Sequence, residues 1–253
     1  MLTPNRTLMG QYVGSRAGSD LRDTINHQGH ANLLIATGAS QFEVLAELAK
    51  QPDIDWSRVT GFHLDEYVGL NADHPASFCR YLRERFVDLV PLREFHFIDG
   101  MSEPSSTIEQ LSTRLSEHPI DVALVGIGEN GHLAFNDPPA DFETEEPYLH
   151  VKLDQKCREQ QVGEGWFESF ESVPETAISM SIQQILKSRK IYCSVPDSQK
   201  AEAVAATIQD DVTPNVPASI LKTHDKCILI IDEASSSSLT SKVRDQLDRF
   251  GFE

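Results

Sequence analysis

Two uninterrupted apolar runs constrain this chain more than any other feature: DVALVGIG at 121–128 and CILIID at 227–232. A strand that is apolar at every position is buried on both faces, and sheets covered on both faces are mostly parallel and flanked by helices. The rest of the sequence repeats that theme. Short β-rich runs are predicted at 32–36, 59–64, 95–98, 122–127, 177–181, 190–195 and 227–231. Between them, amphipathic helical patterns fall at 41–50, 78–86, 107–117, 199–208 and 238–249. Alternation of this kind predicts an α/β fold, a three-layer Rossmann-like domain with a mostly parallel central sheet. No internal repeat or dividing linker interrupts it, so 1–253 reads as one domain. The stretch 142–175 departs from the pattern. Acidic, glycine-containing and weakly periodic, it reads as an insertion or flap over a site.

Composition matters here for what it excludes. The formal net charge of −17 argues against nucleic acid as a partner, because phosphate backbones are held by Lys and Arg. A small phosphorylated ligand is still compatible with that charge, since one helix N-terminus and a local cation suffice to hold it. No window approaches the roughly 18 apolar residues of a membrane span, and the opening residues lack the basic-then-apolar pattern of a secretory leader. Cys79, Cys157, Cys193 and Cys227 are scattered without a CxxC pair, as expected of free thiols in a reducing compartment. The expectation is a cytoplasmic protein. The sequence leaves the oligomeric state open, a homo-oligomer included.

In open α/β sheets ligands bind beyond the carboxyl ends of the strands, and three polar segments fall there. The first is IATGAS at 35–40, where Thr37, Gly38, Ala39 and Ser40 make a small-residue turn that can turn N–H groups and hydroxyls toward an anion. A helix cap and a turn glycine explain the same residues. The second is GFHLDEYVGL at 61–70, an apolar strand ending in adjacent acids. Period-two geometry places His63 and Asp65 on one face and Glu66 on the other. Asp65 is then a candidate general base, while His63 fits a core or hydrogen-bonded role. The third is VGIGENGHLAFNDP at 125–138, with Asn130, His132, Asn136 and Asp137 in a glycine-rich turn. Its glycines do not form GxGxxG, which argues against a nicotinamide cofactor. A histidine beside amide and carboxylate partners suits acid/base work, although a structural turn with a satisfied histidine is the alternative.

Taken in order, IATGAS, FHLDEYVGLNADHPASF, VGIGENGHLAFNDP and VPDSQKAEAV resemble the glucosamine-6-phosphate deaminase family, relatives of the 6-phosphogluconolactonases. The resemblance runs from about residue 30 to residue 232. It implies a hydrolase/isomerase that converts glucosamine 6-phosphate and water to fructose 6-phosphate and ammonia. By that resemblance Asp65 moves a proton between C2 and C1, and His132 opens the pyranose ring, oriented by Asn130 and Asp137. Thr37, Gly38, Ala39, Ser40 and Lys200 hold the phosphate, and no metal or organic cofactor is implied. Three departures stand out. Asp137 replaces the glutamate common in the family, and Gly163 falls where a phosphate-binding arginine is expected, with Arg158 near enough to substitute. The basic residues of an allosteric site found in some members have no counterpart in DFETEEPYLHVK at 141–152. A sugar-lactone hydrolase and a catalytically silent sugar-phosphate sensor are the competing readings.

Overall fold

The computed structural model describes residues 1–250. Its ten strands are β1 (Leu2–Thr3), β2 (Ala31–Ile35), β3 (Val59–His63), β4 (Asp65–Tyr67), β5 (Glu94–His96), β6 (Val122–Val125), β7 (Tyr148–Lys152), β8 (Thr176–Met180), β9 (Lys190–Val195) and β10 (Cys227–Asp232). The α-helices are α1 (Arg6–Gln28), α2 (Phe42–Leu48), α3 (Phe78–Arg85), α4 (Pro104–Glu117), α5 (Gln155–Gly163), α6 (Ile182–Leu186), α7 (Ala201–Gln209) and α8 (Ser241–Arg244).

Seven strands form the central sheet in the order β1-β10-β9-β6-β2-β3-β5, every neighbouring pair parallel. Successive residues of one strand feed opposite layers. Leu33 and Ile35 of β2 join Val122 and Leu124 of β6 in the core beneath α1 and α2, whereas Leu34, Ala123 and Val125 enter the core on the other side. All of these are buried, which is why the two apolar runs carry no alternation. Strand order reverses between β2 and β6. Chain leaving their carboxyl ends diverges there and opens a crevice.

The longest helix, α1, is absent from the sequence reading. Its interior holds Gly10, Gly14 and Gly18, residues that weaken a helix by about 0.5–1 kcal/mol each and blur its periodicity. Packing explains them. A Cβ on Gly10 would lie 2.3 Å from the Glu43 Cβ, and one on Gly14 would lie 2.7 Å from the Glu47 Cβ, so these glycines let α1 lie directly against α2. Met9, Val13, Ala17, Leu21 and Ile25 form the buried stripe that holds α1 to the sheet.

Two other expectations change, and the 142–175 stretch gains regular structure. The predicted strand at 177–181 is β8, and it belongs to a separate antiparallel sheet, β4-β8-β7, rather than the parallel one. The stretch 142–175 contains β7 and α5, and Leu153, Cys157, Phe167 and Val173 bury themselves with Tyr67, Phe78 and Phe135 in a third apolar cluster. The helix expected at 238–249 shortens to α8. No helix among the described residues is long and apolar enough to cross a membrane.

Candidate active site

A cavity of about 490 Å³ opens at the crevice between β2 and β6. The turn after β2 supplies Thr37, Gly38, Ala39 and Ser40, and the turn after β6 supplies Gly126, Gly128 and His132. Asp65 enters from the start of β4 and Lys200 from the start of α7. The 37–40 turn is tied down from several sides. The Tyr81 hydroxyl donates to the Gly38 carbonyl at 2.9 Å, and Arg6 donates to the Ala39 carbonyl at 2.8 Å. Buried Gln41 reaches across the sheet ends to the Val125 carbonyl and the Ser194 hydroxyl.

Asp65 is the most perturbed acid in the pocket. Its residue is 6% exposed, and one carboxylate oxygen, Oδ1, is buried without a hydrogen-bond partner. Burial, reinforced by the charge of Glu66, pushes its carboxyl up to about 8. Glu66 faces the other way, as period-two geometry requires. Its oxygens accept from the N–H groups of Tyr67, Phe78 and Cys79 and from the Ser77 hydroxyl, so it anchors the start of α3.

His63 does not share the face of Asp65. The chain leaves the parallel sheet after His63 and starts β4 at Asp65, and this change of sheet breaks the alternation. The His63 ring instead lies near Glu66 and Cys79, with Nδ1 at 3.4 Å from the Ile98 N–H, and burial drives it down to about 3. It is a neutral core imidazole.

The β6 turn builds the second polar centre. Asn130 accepts from the His132 N–H at 3.0 Å and donates to Asp137 at 2.9 Å and Asp154 at 3.1 Å. His132 Nδ1 lies 3.2 Å from Asp137 Oδ1, near enough for charge pairing but without hydrogen-bond alignment. Burial raises the Asp137 carboxyl, but His132, the Asp154 N–H and the Asn130 amide outweigh it and hold the carboxyl below its ordinary value. The ring of His132 lies flat against Gly128. A Cβ there would sit 2.2 Å from its Cε1 and Nε2, so glycine is required for His132 to reach the pocket.

Arg158 does not line the cavity. Its guanidinium donates to the carbonyls of Phe170 and Val173 and packs over the Phe170 ring, 4.0 Å from the centroid. Arg158 therefore does not stand in for a phosphate-binding arginine in this cavity; it fastens the chain after α5. Gly163, where the arginine is expected, does line the pocket, and with it the 142–175 stretch contributes Gln160, Gln161 and Glu164, which the sequence reading does not single out. Gln160 accepts from the Glu129 N–H, and Gln161 accepts from the Tyr67 hydroxyl. Their pairing in QQVGEG carries no periodic signal. Asp197, which also lines the pocket, takes a left-handed backbone, φ +75°, and pairs with Arg6 at 3.1 Å.

This chain matches the model of the family described as glucosamine-6-phosphate isomerases/6-phosphogluconolactonase over residues 4–230. It belongs to that family. Relatives named glucosamine-6-phosphate deaminase include one from Streptococcus suis, 36% identical over 90% of this chain and 96% of its own. Another, from Streptococcus pneumoniae, is 36% identical over 92% of this chain and 97% of its own. Among solved structures, one described as a monomeric glucosamine-6-phosphate deaminase superposes with a TM-score of 0.84 at 27% identity, covering 94% of this chain and 98% of its own. A putative 6-phosphogluconolactonase from Neisseria gonorrhoeae shares the fold, with a TM-score of 0.74 at 18% identity over 92% of this chain and 98% of its own. The mostly parallel central sheet flanked by helices is thus the family's fold.

Proposed function

We propose that this enzyme is a glucosamine-6-phosphate deaminase, converting glucosamine 6-phosphate and water to fructose 6-phosphate and ammonia. The observation that carries the reading is Asp65, a buried carboxyl raised to about 8 in the same cavity as His132 and Lys200. A carboxylate deprived of solvent and hydrogen bonds is a strong base for a carbon-bound proton. Deaminase relatives cover nearly the whole chain at 36% identity, whereas the lactonase likeness is one of fold.

In this reading the phosphate sits at Lys200 and the 37–40 turn. Anchoring the non-reacting end turns binding into orientation at the reacting carbons. His132 protonates the ring oxygen as the C1 hydroxyl loses its proton, giving the open aldehyde. A carboxylate against Nδ1 favours the proton there and leaves Nε2 for the sugar. Asp65 then takes the C2 proton, the C2–H electrons form the C1–C2 double bond, and the aldehyde oxygen is protonated. Returning the proton to C1 leaves an iminium at C2. Water adds to that carbon and ammonia departs, yielding the ketose.

A substrate panel tests the assignment: glucosamine 6-phosphate, unphosphorylated glucosamine and 6-phosphogluconolactone. Ammonia release from the first alone is expected. Lactone hydrolysis without ammonia release would transfer the protein to the other branch.

A further inference from the structure

Among the described residues that line the cavity, Lys200 is the one Lys or Arg side chain, and it is already paired. Its Nζ lies 3.4 Å from Glu164 Oε1, with the two side chains 12% and 21% exposed. The same oxygen accepts from Gln160 at 2.7 Å, and Glu164 Oε2 accepts from the Trp166 indole at 3.1 Å. Glu164 follows α5 directly and stands between two glycines, Gly163 and Gly165. A Cβ at either glycine would meet nothing within 4 Å, and Gly165 takes a left-handed φ of +80° that favours glycine where the chain leaves α5. The backbone here is held, with the N–H groups of Glu164, Gly165 and Trp166 donating to the Gln160, Val162 and Gln161 carbonyls, so any release of Lys200 is a rotation of the Glu164 side chain.

The charge around Lys200 is unusual for a phosphate end. Glu129, Glu164 and Asp197 line the cavity with it, and Asp197 is engaged by Arg6. A phosphate monoester brings about −1.5 to −2 charge at neutral pH. It cannot share one ammonium with a fixed carboxylate without strong like-charge repulsion.

We propose that Glu164 is an internal stand-in for the substrate phosphate: its carboxylate holds Lys200 in the resting enzyme and swings away when a phosphate takes that ammonium. This rests on the reading that Lys200 binds the phosphate. The resting pair keeps a largely buried ammonium compensated, which an empty pocket would otherwise leave at high energy. Displacement weakens phosphate binding by the worth of that pair and couples phosphate arrival to the end of α5, the segment that also carries Gln160 and Gln161.

Trp166 supplies the readout, because losing Glu164 removes its indole acceptor. Inorganic phosphate titrated into the wild-type protein is expected to change tryptophan emission, and Trp166→Phe to abolish the change while Trp56 remains. Glu164→Gln, near in shape but uncharged, is expected to bind phosphate about 3- to 10-fold more tightly and to lower KM for glucosamine 6-phosphate by a similar factor. Glu164→Asp, with its carboxylate drawn back one methylene, is expected to tighten binding less. Thermal melts of both variants guard against misfolding, and Glu164→Asp serves if Glu164→Gln does not fold. Equal or weaker phosphate binding in a folded variant overturns the proposal, as does phosphate binding to neither protein. If wild type binds phosphate with the emission change yet releases no ammonia, the deaminase assignment fails while the stand-in survives. If ammonia is released and neither variant tightens binding, the stand-in alone fails.

Discussion

The clearest consequence of the site is that Asp65 makes the enzyme less stable as pH rises. Its carboxyl moves from 3.8 to about 8 on folding, because burial and Glu66 oppose its charge. At 1.36 kcal/mol per pH unit, ionising it in the folded protein costs about 6 kcal/mol more than in water. The sign follows from proton counting. Between about pH 4 and pH 8 the unfolded chain has released this proton and the folded chain has kept it, so stability falls across that window. Asp65→Asn removes the titration. Urea unfolding of both proteins at pH 5 and pH 9 is the assay, and the variant is expected to gain several kcal/mol on wild type between those two values. The same carboxyl governs turnover: log kcat/KM in the wild type is expected to rise with pH and level off near 8, as for an essential base. A stability difference that stays constant from pH 5 to 9, together with a flat rate profile, would refute the buried-base argument.

Gly128→Ala is expected to expel the His132 ring, since the new Cβ would stand 2.2 Å from it; turnover falls by about 100-fold or more, while the melting temperature drops by only a few degrees. Lys200→Ala is expected to raise KM for glucosamine 6-phosphate by roughly 10- to 150-fold, as loss of a charge-assisted contact would, with folding retained by circular dichroism. Glu66→Ala strips the acceptor from the Tyr67 N–H in β4 and from two N–H groups and one hydroxyl at the start of α3, and at least about 3 kcal/mol of stability is expected to be lost in urea. Gly10→Ala forces α1 from α2 against a 2.3 Å contact and is expected to destabilise by about 1–3 kcal/mol.

The central sheet was legible because burial on both faces writes itself directly into sequence as unbroken apolar runs. The turns after β2 and β6 were legible because polar residues crowd directly after buried strands, at the sheet end where open α/β folds bind ligands. Helix α1 was hidden because glycines chosen for contact with α2 erase the signal of helix propensity. Their spacing of four, at Gly10, Gly14 and Gly18, was the clue available. The position of His63 was misread because alternation holds only within one strand, and the chain changes sheets between His63 and Asp65. Arg158 shows the limit of nearness in sequence. It sits one turn from the pocket-lining glutamines of α5, yet on the side that faces the Phe170 and Val173 carbonyls. Glu164 and Asp197 had no local pattern to announce them, since what recruits each is a cation distant in sequence, Lys200 or Arg6.

Ammonia release from glucosamine 6-phosphate by wild type and by Asp65→Asn tests the account most directly. Wild type is expected to release ammonia, and the variant to fall by at least about 100-fold while still folding and binding inorganic phosphate. A folded variant with near-normal ammonia release would contradict the assignment of Asp65 as the base.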